Sequence, residues 1–322
     1  MDHLRRLGSR IYVPIPADAD GFTGRECPQP GCEGYFKIEV GTGLKGQGLP
    51  CHCPYCGHTA GNDTFWTKEQ IEYAKSIAMK KITDAFYKDI KNLEFEHKPR
   101  GALGINLSMK VKTGRPAPIH SYREKQLETE VICVNCTLRY SVYGVFAFCP
   151  DCGKHNSLQI LNKNLELVGK MLDLSANAEK ELAVILIENG LEDCVSAFDG
   201  FGRELCRIYT DRAQNADRPE KMTFQNLEVA RSKILDAFGI DLSIAVEPNE
   251  WRTASIAFQK RHLVSHKASV VDMDYIAKTG DTRTIVGRKI VIEATEVRHL
   301  ARIISKIALR LSNDLQALEI RS

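Results

Sequence analysis

Near the end of the chain, apolar residues return every three or four positions: Val297, Leu300, Ile304, Ile307, Leu311, Leu315 and Leu318. That is one stripe of an amphipathic helix, and it predicts a helix over 295–318. The same period predicts helices near 160–173, 178–212, 224–238 and 249–267, with Gly190 a weak point inside the second. Amphipathic helices joined by short connections predict an all-α helical bundle over 158–322. Upstream, Ile71, Ala74, Ala78, Ile82, Ala85, Phe86, Ile90 and Leu93 predict one long helix over 67–97, and Thr67 with Gln70 forms a capping-box pattern at its start. Residues 98–127 carry prolines, glycines and basic residues and read as a linker. The stretch 1–66, an N-terminal arm followed by the first cysteine cluster, and the stretch 128–157, which holds the second, make up the rest. The expected fold class is α+β and multidomain: two small cysteine-rich units, a long helix and a helical bundle, with no internal repeat evident.

Composition adds limits. An apolar fraction of 43% and a charged fraction of 26% are those of an ordinary soluble protein. No apolar run approaches the roughly eighteen residues of a membrane span, so no membrane partner is expected. The start has basic residues but no apolar core of a signal peptide, so a cytoplasmic location is expected. A net charge of +3 neither demands nor excludes nucleic acid.

The cysteines say more. There are eleven, and nine fall in two tight clusters. In a reducing compartment such pairs bind metal rather than form disulfides. Cys133 and Cys136 make one C-x2-C and Cys149 and Cys152 another, with twelve residues between. Two knuckles of this kind complete a closed tetrahedral shell, the pattern of a zinc ribbon. In the first cluster Cys53 and Cys56 make the same knuckle, and Cys27 and Cys32, at C-x4-C spacing, are its expected partner. Cys51 is a fifth thiol on the strand entering the knuckle; His52 and His58 are weaker candidate ligands. Two structural Zn2+ ions and no catalytic metal are expected, because a closed four-thiolate shell leaves no position for water. Lys37, Lys45, Arg139, Tyr140, Tyr143 and Lys154 are candidates for a nucleic-acid surface, with the tyrosines equally suited to a hairpin core. Cys194 and Cys206 read as buried free cysteines.

One further stretch carries chemistry, "KRHLVSHKASVVD" at 260–272. Arg261 and His266 form R-x4-H late in a predicted helix, and His262 and His266 share its face. A cation beside an imidazole disfavours the imidazolium and keeps a base available near neutral pH. Arg115 and His120 repeat the spacing, but two prolines forbid a helix there, and we read that copy as coincidence.

"RHLVSH", followed by "KASVVDMDYIAKTGD" and "VGRKIVI", resembles the HEPN domains, in which an R-x4-6-H motif lies late in a helical bundle. The resemblance covers roughly 158–322. It implies a metal-independent endoribonuclease acting on RNA as a homodimer, with two motif helices building one composite site. Carried onto this chain, it implies His266 as general acid/base, Arg261 as the cation stabilising the phosphorane, and His262 as the polar group orienting phosphate. The products would be a 2′,3′-cyclic phosphate and a 5′-hydroxyl. "LEDCVSAFDGFGREL" is similar to an early helix of the family, which would set Asp199 and Arg203 near the cleft. Such proteins resemble bacterial toxins and antiviral defence effectors. The competing expectations are a non-catalytic nucleic-acid sensor or adaptor, and a subunit capping a larger complex through the long helix.

Overall fold

The computed structural model describes residues 2–46, 48–97, 107–111, 118–120, 122–127, 129–214 and 222–320. It is mixed α+β and divides into two compact units, Met1–Lys154 and His155–Ser322.

In the first unit, α1 (Asp2–Arg6) precedes β1 (Phe22–Glu26), β2 (Tyr35–Glu39), β3 (Pro50–His52) and β4 (Thr59–Gly61). Next come α2 (Lys68–Lys91), β5 (Phe95–His97), β6 (Leu107–Met109), β7 (Thr129–Ile132) and β8 (Arg139–Val142). The two cysteine-rich segments are not separate modules. Hairpin β1–β2 and hairpin β7–β8 join through β2 and β8 into one antiparallel sheet of order β1-β2-β8-β7. Phe36, Ile38, Tyr140 and Val142 are buried in its shared core.

The register exposes a repeat that the sequence hides. Counting four residues on from Cys32 and from Cys136 gives Phe36 and Tyr140, so Lys37 and Ser141 occupy equivalent positions. These two face each other across the β2–β8 seam. The seam therefore has the form of a local two-fold axis. The second knuckles obey it too: the His52 N–H donates to the Pro150 carbonyl and the Phe148 N–H to the Pro54 carbonyl, each at 2.8 Å. Unequal knuckle spacing and the chain inserted between the halves mask this in sequence.

Helix α2 begins as its capping box predicts, with reciprocal bonds between Thr67 and Gln70. It stops at Lys91 rather than running to 97, and β5 pairs with β6 instead. Its apolar stripe is mostly uncovered: Ile71, Ile82 and Phe86 are exposed, as is Leu93 beyond the helix end, while Ala85 is buried. About half of the expected linker lies outside the described residues, Arg115 of the second R-x4-H included, and its described part holds β6. Its end is anchored, because Glu124 accepts from the Gly24 N–H and from the hydroxyls of Tyr35 and Tyr122.

The second unit is the helical bundle. It contains α3 (Ser157–Ser175), α4 (Lys180–Ile208), α5 (Leu227–Phe238), α6 (Pro248–Lys267), α7 (Met273–Thr279) and α8 (Ala294–Ile320). Helix α4 runs unbroken through Gly190. The α8 stripe from Val297 to Leu315 is fully buried against α3, α4 and α6. At Gly202 any side chain would displace Phe224, since a Cβ would stand 2.5 Å from its ring. That close approach seats the loop entering α5 against α4.

Candidate functional site

The four sulfurs of Cys27, Cys32, Cys53 and Cys56 lie within 4.8 Å of one another, and so do those of Cys133, Cys136, Cys149 and Cys152. The close pairs are 3.7 Å apart for Cys27–Cys56, Cys32–Cys53 and Cys133–Cys152, and 3.4 Å for Cys136–Cys149. Sulfurs held at about 2.3 Å from one tetrahedral ion stand nearly that far apart, so both quartets fit a metal. Burial pushes the Cys27 thiol up to about 11 and the Cys136 thiol up to about 12. Four thiolates at this spacing repel one another unless a cation binds them.

Backbone hydrogen bonds build three of the knuckles identically. The N–H of Cys53, Cys133 and Cys149 donates to the carbonyl five residues on, at His58, Leu138 and Lys154. The N–H four residues on returns to the cysteine carbonyl, from Gly57, Thr137 and Gly153. That fourth residue is left-handed each time, with φ of 71°, 65° and 67°. Glycine suits it, and Thr137 holds it under strain.

Cys51 and the histidines fall outside both shells. Cys51 lies on β3 and matches Ala147 of the other half, and both are buried in the shared core. His52 bonds Thr59 Oγ1 at 2.8 Å, and His58 packs against Phe65. Tyr140 is a core residue. Lys37 is buried and paired with Asp18 at 2.8 Å, and Arg139 pairs with Glu39 at 2.6 Å. Of the surface candidates, Lys45, Tyr143 and Lys154 are exposed. Cys194 and Cys206 are fully buried in α4.

In the bundle, α6 starts at Pro248 behind a Glu247/Glu250 capping box. It ends at Lys267, and the chain leaves through two consecutive left-handed residues, Ala268 and Ser269, with φ of 49° and 64°. Neither is glycine, so the exit is strained. Ser269 is held by its N–H on the Leu263 carbonyl and by its hydroxyl on Glu188 of α4. Ser265 bonds Glu192 of the same helix.

The motif residues divide between two faces. His262 and His266 are both exposed, with ring centroids 4.9 Å apart. Burial, and then the charges of His266, Lys278 and Arg261, hold the His262 imidazole below the ordinary histidine range, with Asp274 pulling the other way. Arg261 turns inward. It is 8% exposed, and its guanidinium donates to the Gln225 carbonyl at 3.0 Å while Nε has no partner. Glu192 and Asp199 supply the facing negative charge. Asp199, placed near the cleft by the resemblance, is buried; it accepts from the Phe224 N–H and the Thr223 hydroxyl and pairs with Arg203 at 3.0 Å. It fixes the loop that carries Gln225, and through it Arg261.

Sequence reading passed over α7, whose Lys278 and Asp274 face His262. Its signals were present, with Asp272 capping the Tyr275 N–H and left-handed Gly280 closing the helix. It also missed Arg252 and Gln259, which stand fourteen and seven residues before His266 on one face of α6. Among the described residues no helix is long and apolar enough to cross a membrane. Compared with protein-family models, curated proteins and solved structures, the chain matches none.

Proposed function

We propose that this protein is a metal-independent endoribonuclease of the HEPN type, acting as a homodimer in bacterial defence or as a toxin. The observation that carries the reading is the pair of solvent-facing imidazoles, His262 and His266, lying above a buried arginine on one helix. RNA brings its own nucleophile, the 2′-hydroxyl. One imidazole takes the 2′-hydroxyl proton as that oxygen attacks phosphorus, and a second imidazole protonates the departing 5′-oxygen. A 2′,3′-cyclic phosphate and a 5′-hydroxyl remain. The resemblance gives the proton transfer to His266. The lowered basicity of His262 keeps that ring neutral near pH 7, which suits the base. Arg261 contributes from beneath, as one of the cations that depress His262.

The two quartets would hold zinc. Their sulfur spacing supports a closed structural shell, with no position free for substrate. Exposed Lys45, Tyr143 and Lys154 would present the unit to RNA. The inward turn of Arg261 favours a second reading, a nucleic-acid sensor or adaptor that cuts nothing. Purified protein incubated with total RNA in EDTA, with product ends mapped, separates them. The ribonuclease reading expects 2′,3′-cyclic phosphate ends, lost in His266→Ala and Arg261→Ala with folding retained. No cleavage by the native chain, or cleavage undiminished in His266→Ala, overturns it.

A further inference from the structure

A groove of about 490 Å³ runs between the first turn of α5, the outer face of α6 and the end of α7. Leu227, Trp251 and Ile256 give it apolar walls, and Arg252, Gln259 and Lys278 give it polar edges. The indole is locked: its N–H donates to Glu228 at 2.7 Å, and the Arg231 guanidinium lies 5.8 Å from its ring centre. Ser255 donates to the same Glu228 oxygen at 2.7 Å, so that carboxylate is engaged by the groove's own donors. Lys278 pairs with Asp274 at 2.6 Å. Arg252 has no hydrogen-bond or ion-pair partner among the described residues, and its guanidinium reaches toward Gly280 at the end of α7. An unpaired guanidinium beside a preformed apolar slot, at the positive end of α5, is the chemistry of a site for an anion carrying a flat apolar group.

The groove is continuous with the histidine pair. Arg252, Ser255, Gln259, His262 and His266 recur at intervals of three and four residues, so they form one stripe on α6. From Arg252 to His266 the stripe spans about 21 Å along the helix. Lys278 belongs to both ends, lining the groove and acting on His262.

We propose that this groove is a nucleotide subsite for single-stranded RNA. A base lies against Trp251, Ile256 and Leu227 with the Gln259 amide on its edge, and Arg252 takes an adjoining phosphate. The strand then continues along α6 to His262 and His266. A base can enter only when unstacked, so the subsite selects single strands over duplex. The inference rests on the ribonuclease reading for its direction along α6, but its binding claim stands apart from cleavage.

The test is fluorescence anisotropy with a fluorescein-labelled single-stranded RNA and with its duplex, on the full chain in a His266→Ala background that leaves the probe intact. Single-stranded RNA is expected to bind more tightly than duplex. Arg252→Ala is expected to weaken it about tenfold and Gln259→Ala about threefold, as loss of a charged and a neutral hydrogen bond implies. Both side chains are at least partly exposed, and unchanged melting curves show that the fold is kept. Equal affinity in Arg252→Ala, equal binding of duplex, or no binding by the parent overturns the subsite. Arg252-dependent binding, with no RNA cleavage by the native chain, leaves the subsite standing and removes the ribonuclease. His266-dependent cleavage with Arg252→Ala silent does the reverse.

Discussion

Replacing Cys51 tests the ligand assignment and the hidden repeat together. If Cys51 is a core residue equivalent to Ala147, then Cys51→Ala removes one buried sulfur and nothing else. Deleting a single buried heavy atom costs about 1 kcal/mol, from lost contacts and a cavity smaller than a methyl group. If Cys51 were a ligand, its loss would break a closed shell. A structural ion of this class contributes on the order of 10 kcal/mol to folding, comparable with the whole stability of a domain. The two outcomes differ by nearly an order of magnitude, so crude data decide. Metal content by inductively coupled plasma mass spectrometry, with a thermal melt, is the assay. Cys51→Ala is expected to keep both ions and melt a few degrees lower, whereas Cys53→Ala is expected to lose the ion of its quartet. Loss of an ion from Cys51→Ala would refute both the quartet and the equivalence.

Thr137→Gly should relieve the left-handed strain of its knuckle and raise stability by about 1 kcal/mol, read as a higher urea midpoint with unchanged metal content. Burial raises the Glu204 carboxyl, but bonds from Arg207 and His155 outweigh it and bring it to about 2, from an unfolded value of 4.5. Its folded value is depressed, so its contribution is complete above pH 4.5 and is lost as pH falls toward 2. That contribution is at most about 3 kcal/mol, and urea melts of Glu204→Gln across that range should show a flatter acid limb. Asp199→Ala should cost about 2–4 kcal/mol in a urea melt, since it strands the Phe224 N–H and leaves Arg261 under-compensated.

The sequence made local features readable. The period of three and four residues places the main bundle helices within a few positions, and Thr67 and Gln70 give the start of α2. The cysteine pairs announce both quartets because a knuckle is a short-range structure. Long-range features stay hidden. The β2–β8 pairing joins residues about a hundred positions apart, and neither strand carries a mark of its partner. The inward turn of Arg261 depends on Asp199, Glu192 and the Gln225 carbonyl, all brought there by other parts of the fold. The apolar positions of α2 have a helical period whether or not anything covers them, so periodicity gave its shape but not its exposure.

The paired bonds from His52 to Pro150 and from Phe148 to Pro54 tie the two quartets together mechanically. If the quartets hold metal, whichever half takes its ion first orders the strands that the other must also order, and so lowers the entropic cost of the second event. Uptake is then expected to be cooperative: at scarce metal, fully loaded and empty chains should outnumber those holding a single ion.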